Sequence, residues 1–216
     1  MHSFYKKAAW KQWVVTILLF LIGIAIVIIW SSLMVKNPIL YFSIFLVVPF
    51  FQFFFSPFFT KIGMYTYLSP MLLAFGATET SYGIHNGTSF DYLFAMQGVK
   101  PGLPWKKKLL SYYLEGLLEI VAKIEKGEIP PSINVWGSSY FFSESTANRL
   151  GFSLSETGYG EKLNILFNYL DLLWMYSLAN GKLTFPKLKG IKTASIKGEM
   201  LVTKKADLER LYERVK

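Results

Sequence analysis

The sequence predicts a membrane protein with an N-terminal two-helix transmembrane hairpin and a cytoplasmic α+β domain of two or three helices and four or five short strands. Hydrophobic residues make up 52% of the 216 residues, and charged residues only 17%, against about 25% in soluble domains. Two long uncharged runs lie near the N-terminus, and mixed helix and strand patterns follow. We therefore divide the chain into residues 1–61, a cytoplasmic stub and the hairpin, and residues 62–216, the domain.

The first uncharged run covers residues 13–35 and is long enough for a spanning helix, which needs about 20 apolar residues. Trp10 and Trp13 at one end and Trp30 near the other are typical of interfacial anchors. A cleaved signal peptide is the alternative. We favour the anchor because the apolar stretch exceeds the usual length of about 7–15 residues and no small-residue cleavage site follows it.

The second uncharged run covers residues 38–60 and is rich in phenylalanine. The turn before it is too short for anything but a helical hairpin. Pro49 and Pro57 interrupt the run, and a proline inside a spanning helix kinks it and frees a carbonyl group. With Gln52, Pro49 is either part of a pore or substrate element or part of a kinked anchor, and we favour the anchor.

Basic residues set the expected orientation. Lysines precede the first run and follow the second, whereas the hairpin turn contains only Lys36, and no acidic residue occurs before Glu79. By the positive-inside rule both termini lie in the cytoplasm, and we expect the protein in a prokaryotic inner membrane. The net charge of +9 therefore mainly reflects topology, and with only three arginines in the chain we expect no nucleic-acid partner.

Residues 62–216 show patterns of both strands and helices. The predicted elements are a strand over 64–75 broken at Pro70, a strand over 81–85, a short helix or strand over 90–96, a helix over 105–126, a strand over 133–142, a helix over 143–150, a helix over 161–180, a strand over 191–197 and a C-terminal helix capped by Thr203.

The predicted helix over 161–180 is apolar around most of its circumference, so we expect it to be buried on nearly all sides, with Leu170 and Trp174 in the core. Its polar residues repeat at helical spacing and form one stripe, which consists of Glu161, Asn164, Asn168 and Asp171. The stripe either lines a pocket or forms a solvated edge. We favour the solvated edge.

Several catalytic chemistries are excluded or lack their motif. The absence of cysteine excludes disulfides, iron–sulfur clusters and a thiol nucleophile, and two histidines are too few for a His-rich metal site. The chain has no phosphate-binding P-loop, no dinucleotide-binding glycine motif and no serine nucleophile elbow. We expect no cofactor.

The segment 79–91 is the most polar part of the domain and contains the candidate catalytic residues Glu79, His85 and Asp91. Their even spacing would place them on one face of a continuous strand, where the imidazole could act as a general acid or base beside a carboxylate. The turn signal Asn86-Gly87 argues against such continuity. The favoured alternative is therefore a turn whose polar side chains bond to its own backbone, and a metal site is less expected still.

Two basic or hydroxyl-rich segments are candidate binding sites. Ser143 begins a short predicted helix that contains Arg149, an arrangement that could hold an anion or could be an ordinary helix cap. Lys106, Lys107 and Lys108 follow Trp105 at the start of a helix, where the macrodipole disfavours cations. The cluster either binds anionic lipid headgroups, the partner we expect, or is a solvated helix end whose lysines extend into water.

These patterns leave three functional hypotheses. The favoured one is a membrane-anchored cytoplasmic interaction or accessory domain, with a membrane protein as a possible partner. The first alternative is a membrane-associated enzyme acting on a lipid-linked or phosphorylated substrate through Glu79, His85 and Asp91. The second is a small channel or transporter subunit that oligomerises through the Phe-rich second run.

Overall fold

A computed structural model describes residues 1–138, 144–188 and 191–216, with only the backbone at position 146. The chain begins with a short 3-10 turn, Ser3–Lys6, and continues into helix α1, Ala9–Lys36. A second 3-10 turn, Pro38–Ser43, leads into helix α2, Ile44–Lys61. Two stretches, Ala9–Lys36 and Pro38–Lys61, are long and apolar enough to cross a membrane.

The remaining described residues form a mixed α/β domain around a six-stranded sheet in the order β1-β2-β3-β4-β6-β5. The strands are β1 (Tyr65–Ser69), β2 (Leu72–Phe75), β3 (Ser81–Asn86), β4 (Asn134–Ser138), β5 (Ser153–Glu156) and β6 (Lys192–Lys197). Neighbouring strands run antiparallel except β3 and β4, which are parallel. This parallel pair is connected through α3 and α4, as parallel strands require a long crossover.

Helices surround the sheet. They are α3 (Ser89–Ala95), α4 (Leu103–Glu125), α5 (Glu144–Arg149), α6 (Tyr159–Phe167), α7 (Tyr169–Asn180), α8 (Gly198–Thr203) and α9 (Lys205–Val215). The long helix α4 packs against β1, β2 and α9 and buries Leu114, Leu117 and Ile120 in the core. Helix α2 packs against β1, α3, α6 and α7, so the second apolar helix is part of the domain's packing.

The structure corrects four predicted elements. The predicted broken strand over 64–75 is a β1–β2 hairpin that turns at Pro70, because proline cannot donate a ladder hydrogen bond. The described residues form six strands, and the missed strand is β5, a short strand whose residues are mostly exposed. Thr203 does not cap the C-terminal helix but is the last residue of α8, which precedes α9. The predicted strand over 133–142 is seen as β4, and residues 139–142 lie outside the described part.

The fourth correction concerns the helix predicted over 161–180. It consists of two helices, α6 and α7, which meet at Asn168. Burial on nearly all sides fails for α6, where Lys162 and Leu166 are exposed, whereas every residue of α7 is at least partly buried. Leu170 and Trp174 are half-buried, and the buried residues of the pair are Ile165, Asp171, Met175 and Ala179.

Candidate functional site

A cavity of about 610 Å³ lies at the carboxyl ends of β3 and β4. The end residues of both strands line it, including His85 from β3 and Ser138 from β4. Ligands of α/β sheets commonly bind outside the carboxyl ends of parallel strands, where crossover connections leave open space. The one parallel pair of the described sheet therefore positions this cavity.

Three layers of the molecule form the walls. Helix α2 contributes Val48, Phe51, Gln52 and Phe59, the sheet contributes residues of β2, β3, β4 and β6, and α6 and α7 cover the remaining side. Gln52 thus lies on the cavity wall, and its backbone carbonyl accepts a hydrogen bond from Ser56. Helix α2 and the α/β domain therefore both form walls of the same cavity.

Aromatic and aliphatic side chains dominate the cavity wall. They include Phe51, Phe59, Tyr65, Leu73, Phe75, Ile84, Leu117, Trp136, Ile165, Leu172 and Met175. The Trp136 ring lies across Gly83, where a Cβ atom would approach it to 3.0 Å, and the indole Nε1 donates to Ser81 Oγ at 2.9 Å. The glycine therefore allows the tryptophan to lie flat on β3 and form part of the wall.

The polar part of the wall is mainly the stripe predicted along α6 and α7. Glu161, Asn164, Asn168 and Asp171 all line the cavity, so the solvated-edge interpretation is wrong. Thr193 Oγ1 donates to Glu161 Oε2 at 2.6 Å, and Trp174 Nε1 donates to Asp171 Oδ1 at 2.9 Å.

Asn168 has unequal contacts at its two amide atoms. Its Nδ2 donates to the backbone carbonyl and side-chain oxygen of Asn164, at 2.8 and 2.9 Å, whereas its buried Oδ1 has no hydrogen-bond partner. This buried acceptor has lost a hydrogen bond, which costs about 1–3 kcal/mol, and a bound molecule can reach it only if the amide group rotates.

Burial changes the protonation of two wall residues. Burial raises the pKa of Asp171, and the hydrogen bond from Trp174 partly opposes this shift. Burial lowers the pKa of His85 below its ordinary value of 6.5, although the carboxylate of Glu161 acts in the opposite direction. His85 is therefore a neutral imidazole at pH 7, and the fixed charges of the wall are negative.

Asn86 is held by the domain itself. Tyr113 Oη donates to Asn86 Oδ1 at 2.7 Å, and Asn86 Nδ2 donates to Tyr92 Oη at 2.8 Å. Burial raises the pKa of both tyrosines, so both phenols stay protonated at pH 7. This amide fixes the end of β3 against α3 and α4.

The three candidate catalytic residues do not share the cavity. His85 lines it, whereas Glu79 lies exposed in the loop before β3, and Asp91 is fully buried in the first turn of α3. The common strand face does not exist because β3 ends at Asn86 and the chain then enters a helix.

Asp91 is the centre of a second buried polar cluster, which we call the junction. Its Oδ2 accepts from the backbone N–H of Thr88 at 2.7 Å in a capping box, the arrangement predicted for an N-terminal helix cap. Its Oδ1 lies 2.8 Å from His2 Nε2 and accepts a hydrogen bond from Tyr67 Oη. Thr88 also accepts from Ser56 of α2 at 2.8 Å, so the junction ties the N-terminus and α2 to the domain.

The candidate binding residues lie elsewhere. Arg149 is exposed at the end of α5, and Ser143 lies outside the described residues. The lysines at 106–108 are exposed, and Lys106 Nζ donates to Asn180 Oδ1 at 2.7 Å. Trp105, in contrast, is only 7% exposed and stacks on Tyr92, which removes it from any headgroup zone.

Sequence reasoning missed two features of these sites. His2 was not considered because its partner Asp91 is 89 positions away, and no local pattern marks such a contact. The stripe on α6 and α7 was visible in the sequence, but the wall opposite it comes from α2 and the sheet. In the described ranges no three histidine, aspartate or glutamate side chains are grouped as a metal site would require.

Comparison with protein-family models, curated proteins and solved structures finds no match to this chain. The functional argument therefore rests on the chemistry of the cavity and of the junction.

Proposed function

We propose that the chain is an integral membrane protein of a prokaryotic inner membrane, with α1 and α2 as spans and both termini in the cytoplasm. The length and hydropathy of the two helices support this proposal. Large apolar side chains of α1 face outward, and Leu21 and Ile28 are 57% and 62% exposed. Such a surface fits contact with lipid.

Cysteine labelling tests the topology, and the natural chain contains no cysteine that would interfere. Lys7→Cys, Asn37→Cys and Arg210→Cys each place a thiol at an exposed position. A membrane-impermeant maleimide added to intact spheroplasts should label only Asn37→Cys, and all three positions should react after lysis. Labelling of Arg210→Cys from outside would contradict the orientation.

We further propose that the domain is an accessory domain that holds an amphiphile from the membrane in the cavity. The observation that carries this proposal is the shared wall: Phe51, Gln52 and Phe59 of the apolar helix α2 face the same space as the end of the sheet. An amphiphile could place its apolar chain beside α2 and its polar end near α6 and α7. Mostly apolar walls with a few polar groups are typical of small-molecule sites.

Photochemical cross-linking tests this proposal in the full chain. A long-chain alcohol that carries a diazirine, added to the protein in neutral-lipid nanodiscs, should label peptides that contain Ile84 or Leu172. Leu172→Trp fills the cavity and should remove this labelling, whereas Leu183→Trp, at an exposed position, should leave it unchanged. Labelling confined to the outward face of α1 would contradict the proposal.

A membrane-associated enzyme is the second candidate, and the position of His85 favours it. A neutral imidazole on the wall, influenced by the Glu161 carboxylate, is suited to accept a proton from a bound substrate. A lipid-linked substrate fits this cavity, whereas a phosphorylated group would meet no lysine or arginine among the described wall residues.

Replacement of His85 separates the two candidates. In cells in which deletion of the protein has a phenotype, His85→Ala should reproduce that phenotype at normal protein level if the imidazole is catalytic. A silent variant favours the accessory domain. The channel hypothesis predicts polar residues within the spans, and we rank it last because the candidates are the uncharged residues Thr16, Ser43, Gln52 and Ser56.

A further inference from the structure

The polar wall of the cavity is rich in hydrogen-bond acceptors and negative charge. Two carboxylates, Glu161 and Asp171, line it, and the only cation-forming side chain on the described wall is His85, whose pKa burial lowers. The buried Oδ1 of Asn168 adds an acceptor without a partner. A ligand that satisfies this wall must bring donors or positive charge.

The aromatic residues of the wall favour the same kind of ligand. Phe75 and Trp136 flank His85, with ring centroids 6.2 and 6.5 Å from the imidazole. The faces of aromatic rings attract ammonium groups, and such rings beside carboxylates are a common way to bind them. An anionic headgroup would instead meet negative charge and ring faces that repel it.

We propose that the cavity binds a ligand with a long apolar chain and an ammonium head, an inference that rests on the proposed amphiphile-binding function. The ammonium head lies between the carboxylates of Glu161 and Asp171 and the ring of Trp136. The head contacts the polar stripe of α6 and α7, and the chain extends along Phe51 and Phe59 of α2. The ligand class is therefore a cationic lipid or long-chain amine.

The raised pKa of Asp171 agrees with this assignment. Burial disfavours the carboxylate when the cavity holds no cation, and an ammonium group beside it would stabilise the charged form. Trp174 Nε1 already donates to one oxygen of Asp171 and fixes the side chain against α7. The carboxylate is thus oriented before the ligand arrives, which lowers the cost of binding.

Competition against the diazirine alcohol in neutral-lipid nanodiscs tests the head chemistry, with four competitors of equal chain length: dodecylamine, dodecyltrimethylammonium, dodecanol and dodecyl phosphate. The two cations should protect the cavity peptides at about tenfold lower concentration than dodecanol, because charge attraction and cation–π contact add to the same apolar burial. Dodecyl phosphate should protect no better than dodecanol. A preference for dodecylamine over dodecyltrimethylammonium would assign part of the effect to N–H donation.

The variant pair Glu161→Gln and Asp171→Asn, combined in one protein, removes both charges at nearly constant shape. It should abolish the advantage of the cations, so that dodecylamine and dodecyltrimethylammonium protect no better than dodecanol does in the same variant. Glu209→Gln, on the exposed face of α9, is the matched control and should keep the advantage. Equal protection by dodecylamine and dodecanol in the natural protein, or stronger protection by dodecyl phosphate, would overturn the ammonium assignment alone. Absence of any cavity labelling would overturn it together with the amphiphile-binding function.

Discussion

The junction around Asp91 and the polar wall of the cavity both combine a carboxylate with a histidine beside α2, but their hydrogen bonds are satisfied to different degrees. In the junction, the two oxygens of Asp91 are shared among His2, Tyr67 and Thr88, and the carboxylate is fully buried. In the cavity, the wall carboxylates have single hydrogen bonds, and Asn168 Oδ1 has none.

This difference separates a structural role from a binding role. A buried charge that is fully hydrogen-bonded contributes to a unique packing and has no atoms left for a ligand. The carboxylates of the cavity wall line open space and keep acceptor capacity for a bound molecule. The two histidines differ in position: His2 is packed among aromatic rings with its buried Nδ1 unpartnered, whereas His85 lies on a cavity wall.

Replacement of Asp91 by alanine is the sharpest test of the structural role. The variant removes the capping box and leaves buried groups of His2, Tyr67 and Thr88 without their acceptor. We expect a loss of more than about 4 kcal/mol in the free energy of unfolding. Thermal unfolding of the full chain in detergent measures the change.

Asp207→Ala is the matched control for this variant. Asp207 lies in the first turn of α9 and forms a partly exposed ion pair with Arg210, so its loss should cost at most about 1 kcal/mol. Similar unfolding temperatures for the two variants would mean that the junction contributes no more than a surface ion pair, and the contrast between the two regions would fail.

The N-terminal segment extends the junction, and Phe4 tests its contribution. Its side chain is 1% exposed and packs edge-on against Phe90 of α3, with ring centroids 5.1 Å apart. Phe4→Ala should destabilise the fold by about 3 kcal/mol, whereas Phe185→Ala, 63% exposed, should change stability by less than about 0.5 kcal/mol. Urea unfolding of both variants, followed by near-UV circular dichroism, checks the difference. An unchanged midpoint for Phe4→Ala would mean that the N-terminus does not anchor the domain.

Sequence patterns were informative wherever a signal is local. The strand predicted over 81–85 and the helix predicted over 105–126 follow from patterns among neighbouring residues, and the structure shows them as β3 (Ser81–Asn86) and α4 (Leu103–Glu125). The two apolar helices follow from composition alone.

Features that depend on distant residues could not be derived in this way. Period-two spacing suggested one face for Glu79, His85 and Asp91, but that inference holds only while the strand continues. The polarity of α6 and α7 indicated a stripe, whereas its environment is decided by α2, more than 100 positions earlier. The contact between His2 and Asp91 could not be predicted for the same reason, because residues next to His2 in the sequence carry no information about a partner 89 positions away.

The carboxyl group of Asp171 should affect the stability of the fold in a pH-dependent way, and this effect is smaller than that of the junction residues. Because burial raises its pKa above the ordinary value of 3.8, the carboxylate destabilises the fold at pH values above the raised pKa. This penalty shrinks as the pH falls through the raised pKa and disappears below 3.8, where the group is protonated in both the folded and unfolded states. Asp171→Asn should therefore raise the unfolding temperature slightly at pH 7, and the gain should shrink on acidification.

A pH series of thermal unfolding curves checks the sign of this effect. Asp207→Asn, which removes an exposed carboxylate, should show no gain at pH 7. Destabilisation by Asp171→Asn at pH 7 would mean that the hydrogen bonds of this carboxylate are complete, as those of Asp91 are. The cavity wall would then have a structural role like that of the junction.

The smallest expected effect concerns the lysines at 106–108, which lie outside both regions. The first turn of α4 disfavours cations, but the end of α7 is adjacent, since Gly102 N–H donates to the Leu178 carbonyl at 2.7 Å. Lys106 already bonds to Asn180 of α7. We propose that contact with anionic lipid adds an interaction of about 1 kcal/mol per lysine near the surface.

A dye on Gln97→Cys, an exposed position shortly before α4, reports this contact in nanodiscs that contain a headgroup-labelled quencher lipid. Quenching should be stronger in anionic than in neutral nanodiscs, and it should fall at high salt because screening weakens exposed charges. Replacing the three lysines by glutamine should remove the difference, whereas the triple variant Lys126→Gln, Lys187→Gln and Lys197→Gln, at exposed positions away from the start of α4, should retain it. Equal quenching in both lipids would assign the lysines to the end of α7 alone, because the helix terminus attracts them without any membrane.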